Sequence, residues 1–87
     1  MQDPKKTQAQ IRRQRDHLDR AVIATLSSTR KDVDITQGEL AERMAWSREI
    51  VSNIEQGRRE VSISDLILIA QALKVDPEIL FRRILRW

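Results

Sequence analysis

Apolar residues recur every three or four positions along most of the chain, and nothing alternates with period two for long enough to form a strand. Ile11, Leu18, Val22, Leu26, Thr29 and Val33 fall at spacings of three, four and seven. They predict one stripe on a first helix of about 25 residues that begins near Thr7. Arg15 interrupts the stripe, so firm anchoring is expected from Leu18 onward. Asp32 to Ile35 ends the helix. Met1 to Lys6 has little pattern and is expected to be a disordered tail, leaving residues 7–87 as a single domain.

Thr36 predicts the next start. Its hydroxyl can accept an orphan amide, and Glu39 three residues on completes a capping box. Leu40, Ala41 and Met44 form the inner face of helix 2, and Ala45 and Trp46 break it. Ser47 is expected to cap helix 3, with Val51 and Ile54 facing inward and Gly57 as the stop. Arg58 to Val61 reads as a loop. Ser62, in a capping box with Asp65, opens helix 4, whose inner face is Leu66, Ile67, Ile69, Ala70 and Leu73. Asp76 and Pro77 start helix 5, where the missing N–H of proline costs nothing. Leu80, Phe81, Ile84 and Leu85 continue along it to Trp87. The fold class is therefore all-α, five helices, with a helix-turn-helix at residues 36–57.

Composition narrows the function. The chain has 87 residues, enough for one modest core, and no cysteine, so disulfides and thiolate metal sites are excluded. His17 is the one histidine and sits among Arg12, Arg13, Arg15, Asp16 and Asp19, which reads as a solvated helix face. No metal or cofactor is expected. There is no nucleophile paired with a base and no Gly-rich phosphate loop, so an enzyme is not expected. No apolar run approaches the roughly 18 residues of a membrane span, and no apolar region follows the N-terminal lysines. These features point to the cytoplasm.

The net charge is +3, but its distribution matters more. Residues 1–33 hold eight Lys/Arg against four acids, residues 34–60 four against six, and residues 61–87 four against three. The helix-turn-helix is slightly acidic, so phosphate attraction must come from local placement or from the flanking segments. Spacing alone does not assign DNA binding to a helix pair.

The residues themselves go further. TQGELAERM, AWS, REIVSNIEQGRR and VSISDLILIAQALKVDPEILF resemble the Xre/Cro/phage-repressor family of lambda-repressor-like DNA-binding domains. The upstream VIATLSSTRKDVDIT is similar to that family's first helix, and the resemblance covers about Val22 to Phe81. It implies five helices, with the second and third forming the helix-turn-helix. It implies that Gln37 meets a DNA phosphate, where free amides and a positive dipole end suit an anion. Ser47, Arg48, Glu49, Ser52 and Asn53 match the exposed positions of the recognition helix. Chemically, Arg48 can donate two hydrogen bonds to guanine, Asn53 can pair with adenine, and Glu49 can accept from cytosine. Ile50 either touches a thymine methyl or pads a helix edge. Arg58 and Arg59 match the basic loop after helix 3, and Arg43 flanks helix 2. Arg30 and Glu55 match a structural ion pair that ties helix 1 to helix 3.

The chain departs from the family pattern at several positions. Ala45, Asp34 and Lys74 stand where glycine is usual, which puts the turn geometry in question. Trp46 replaces a small apolar residue, and it either covers the seam between helices 2 and 3 or lies near the DNA backbone. Leu68 replaces a usual lysine. Leu68, Ile79, Ile84, Leu85 and Trp87 exceed what a core of this size can bury. They predict a homodimer through helix 5 (residues 77–87) and the nearby face of helix 4. The alternative is a C-terminal helix folded onto its own core. Arg12, Arg13, Arg15 and Arg20 reach flanking phosphates, lie against a partner or are simply solvated. The expected function is a sequence-specific, double-stranded-DNA-binding transcriptional regulator, a dimeric repressor. The alternative is an antitoxin or adaptor that uses the same fold to bind a protein partner.

Overall fold

Local hydrogen bonds at the helix ends define most of the architecture. The computed structural model describes residues 5–87. The elements are α1 (Gln8–Asp32), α2 (Gln37–Arg43), α3 (Arg48–Glu55), α4 (Ile63–Ala72) and α5 (Pro77–Leu85). Among the described residues there is no strand. Residues 1–4 of the expected tail lie outside the described residues. Lys6 is held by Gln14 at 2.8 Å.

Thr7, Thr36, Ser62 and Asp76 each accept a hydrogen bond from the first turn of the following helix. Thr7 with Gln10 and Thr36 with Glu39 complete full capping boxes. Ser62 accepts from the Asp65 amide at 3.0 Å, but no return bond from Asp65 completes the expected box. Ser47 stands at the N-cap of α3 without a side-chain cap bond, contrary to expectation.

The first four helices end alike. Asp34, Ala45, Gly57 and Lys74 all take left-handed backbone angles, with φ of 57, 55, 76 and 59°. In each case the next amide reaches back five residues. Ile35 donates to the Arg30 carbonyl, Trp46 to Ala41, Arg58 to Asn53 and Val75 to Ala70, at 2.8–3.1 Å. These are Schellman caps, which satisfy the orphan carbonyls of the last turn. Three are built on residues with a side chain, so the turn geometry is kept although glycine is absent. An L-residue in this region is strained by about 1–2 kcal/mol, partly offset by the greater freedom glycine loses on folding. Ala45→Gly and Lys74→Gly are therefore each expected to stabilise the domain by about 0.5–1 kcal/mol. Thermal unfolding checks this, and a lower midpoint in either variant would contradict it.

The core lies where the helices converge. Leu26, Ile35, Leu40, Ala41, Val51, Ile54, Ile69, Ala70, Leu73 and Leu80 form one buried cluster. α2 packs on α3 and α4, and α1 packs on α3 and α5. Leu80 and Ile84, one turn apart, form the inward face of α5. Ile84 is 5% exposed, so it cannot contribute to an interface with a second chain. Ile67 departs from the reading of α4 in the other direction and is exposed. Leu18 is exposed too, and continuous burial on α1 starts at Ala21. The first half of α1 extends past the core, which gives a molecule of 44 × 24 × 20 Å. α5 ends at Leu85, short of the expected Trp87, and the Trp87 ring beyond it approaches that half, 5.4 Å from His17.

Candidate nucleic-acid interface

The helix-turn-helix presents α3 through one tight turn and one buried ion pair. The turn is the Ala45 cap, after which Trp46 is half-buried against the core cluster. Trp46 also supports Arg59, whose guanidinium carbon lies 5.7 Å from the ring centroid. This is a cation–π geometry that connects the loop after α3 to the turn before it. Trp46 thus packs on the core and keeps part of its ring exposed.

The far end of α3 is tied down by Glu55. Arg30 donates through Nε to Glu55 Oε2 at 2.7 Å and through Nη2 to Oε1 at 2.9 Å. Both side chains are only 9% exposed. Arg30 Nη1 also donates to the Ile35 carbonyl at 2.7 Å. Gln37 Nε2 and the Ser27 hydroxyl donate to Glu55 Oε1 at 3.1 and 3.4 Å. One carboxylate thus joins α1, the start of α2 and the end of α3. Such a bidentate, fully bonded pair fixes geometry as well as charge.

Burial pushes the Glu55 carboxyl up. The Arg30 and Gln37 hydrogen bonds, the Arg30 charge and the Ser27 bond outweigh it and hold the group below its ordinary value. The hydrogen bond to Glu55 raises Arg30 despite its burial. A carboxyl lowered in the folded state contributes stability that is fully present above its unfolded value and lost as pH falls through the lower folded one. Melting midpoints should therefore drop as pH falls below about 4.5. Glu55→Gln should be less stable at neutral pH but should lose less on acidification. A variant with an unchanged acid limb would contradict the assignment.

The candidate contact residues fall into three groups. Ser47, Arg48 and Glu49 are exposed at the start of α3, and among the described residues Arg48 and Glu49 form no ion pair. Ser52 and Asn53 are half-buried on the next turn. Ile50 is half-buried and packs on the core cluster, which favours padding over base contact. Arg58 and Arg59 are exposed in the loop. Gln37 is partly committed to Glu55, which leaves its second amide hydrogen and its backbone N–H for a ligand. Arg43 is occupied elsewhere, since it donates to the Ala72 carbonyl at 2.7 Å and so caps α4.

Gln56 was missed by the sequence reading. It is exposed one turn beyond Ser52 and donates to the Ser52 hydroxyl at 3.1 Å. Its four-residue spacing from Ser52 carried that signal.

A family model described as helix-turn-helix matches residues 26–80, well over half the chain. The chain belongs to the XRE/lambda-repressor-like helix-turn-helix family of DNA-binding transcription regulators. Family members among solved structures share the fold. The clp gene regulator ClgR from Corynebacterium glutamicum is 33% identical with a TM-score of 0.73, the alignment covering 79% of this chain and 73% of that one. The restriction-modification controller protein C.Esp1396I, solved as a tetramer with its natural 35 base-pair operator, is 28% identical with a TM-score of 0.73, covering 79% and 91%. An XRE-family-like protein from Pseudomonas syringae pv. tomato is 22% identical with a TM-score of 0.81, covering 87% and 93%, and supports the fold alone. No curated protein matches in sequence. No helix among the described residues is long and apolar enough to cross a membrane.

Proposed function

We propose that this regulator is a dimeric repressor that reads a two-fold operator through α3. The observation that carries this is the combination at α3 itself. Its two ends are locked by the Ala45 cap and the Arg30–Glu55 pair, while Arg48 stands exposed and Asn53 half-exposed on it. A rigid helix with a guanidinium and a carboxamide on offer can make bidentate contacts to guanine and adenine. Ser47, whose hydroxyl makes no cap bond, and the loop residues Arg58 and Arg59 suit backbone phosphates. The operator complex of the restriction-modification controller supports double-stranded DNA as the partner.

Dimerisation is supported by the apolar residues left outside the core. Leu68, Ile79, Leu85 and Trp87 are each about half exposed or more, on α4 and at α5. Exposed apolar residues beyond what the core buries are an interface signature. A two-fold pair would present two copies of α3 about one DNA turn apart.

One observation favours a second reading, an adaptor or antitoxin that binds a protein. Glu49 is exposed at the start of α3, and among the described residues no cation pairs with it. In a groove it either accepts from cytosine or repels phosphate. Binding titrations at rising salt separate the two readings, because neutralising phosphates makes affinity fall steeply with salt. Steep loss on DNA supports the repressor. Salt-insensitive capture of a protein with no DNA affinity overturns it.

A further inference from the structure

The first half of α1 is a surface that the DNA-reading proposal leaves unused. Residues 8–20 run past the core with every side chain exposed. Arg12, Arg15 and Asp19 are three or four residues apart and so share one helix face, which continues to Val22 and Ile23. That face borders an open cavity of about 560 Å³, whose opposite wall is the loop carrying Arg58 and Arg59. The loop sits close against α1, since a Cβ at Gly57 would stand 3.2 Å from Ile23 Cδ1.

Arginines therefore stand on both walls of this cavity. Arg59 lies over Trp46 beside the start of α3, Arg58 follows in the loop, Arg15 faces them across the cavity, and Arg12 stands one turn further out. Among the described residues none of these four has an ion pair. Asp19 and Glu60 also line the cavity, so three guanidinium groups there face two carboxylates, and Arg12 adds a further positive charge beyond them. At 1.5 Å per residue, Arg12 stands about 16 Å along α1 from Ile23, outside the reach of the short α3.

We propose that Arg12 and Arg15 grip the DNA phosphate backbone flanking the half-site that α3 reads, as a continuation of the loop arginines. The inference rests on the DNA-reading proposal and adds a sequence-independent clamp to it. Guanidinium groups suit phosphate, and a contact outside the read bases contributes affinity without sequence preference.

The test uses the full chain and a duplex selected from random DNA, trimmed to the shortest bound form and then extended by about five base pairs of arbitrary sequence on each side. The wild type should gain about tenfold or more in affinity from the extension at about 100 mM salt, with a steeper salt slope. Arg12→Gln/Arg15→Gln, both exposed positions, should melt like the wild type, bind the trimmed duplex equally well and gain little from the extension. An equal gain in the variant, or no gain in the wild type, overturns the clamp. If the wild type selects no duplex at all, the DNA-reading proposal fails first and the clamp with it.

Discussion

Arg30→Ala is expected to lower stability by about 3–5 kcal/mol, the cost of stripping one partner from a buried ion pair. The lost side chain makes three hydrogen bonds, two to Glu55 and one to the Ile35 carbonyl. Without it the Glu55 carboxylate keeps only Gln37 and Ser27, and a buried carbonyl loses its donor. Small domains hold only about 5–15 kcal/mol in total, so the midpoint should fall by roughly 15 °C or more. Arg30→Lys should recover part of this, since it restores the charge but not the planar fork. Neither change touches a proposed base contact. The folded fraction of each variant should therefore select the same DNA sequence as the wild type. Thermal unfolding decides the point, and a midpoint unchanged in Arg30→Ala would remove the ion pair from the account.

Arg48→Ala and Asn53→Ala should act on the opposite quantity. Each is expected to leave the fold intact, because Arg48 is exposed and Asn53 is outside the core cluster. A bidentate base contact discriminates by about 1–3 kcal/mol, and a two-fold complex loses it twice. Each variant should thus bind its operator about thirtyfold to roughly twenty-thousandfold more weakly. Affinity for random duplex should change far less, most of all for Asn53→Ala, which removes no charge. Competition between operator and random DNA measures the ratio directly. Parallel loss on both would show that these side chains carry affinity and not specificity.

The fold class was legible because its signals are local and redundant. Thr36 with Glu39, and Asp76 with Pro77, mark helix starts, and the three- and four-residue apolar spacing marks the buried faces. What escaped the sequence was set by tertiary placement. Ile84 and Leu85 are both large and aliphatic, yet only their position on α5 turns the first inward and leaves the second exposed. Leu18 matches the stripe on α1 as well as Leu26 does, but the core ends before reaching it. At Ala45, Asp34 and Lys74 the one sign of a left-handed turn was the glycine usual at each position, and the intrinsic preference of Ala45 and Lys74 opposes such a turn. The cap bonds and the packing of Ile35, Trp46 and Val75 behind them hold these turns. At the candidate interface, Arg48 and Asn53 could be named from the family resemblance, with their side-chain chemistry beside it. The occupation of Arg43 by α4, of Gln37 by Glu55 and of Arg59 by Trp46 could not, since each partner is distant in sequence.

Selection of bound duplexes from a random DNA pool tests the central claim most directly. A locked α3 presented twice should enrich a two-fold symmetric consensus with half-site centres about one helical turn apart. Enrichment of no sequence by a folded, dimeric protein would contradict it and turn the same surface toward a protein partner.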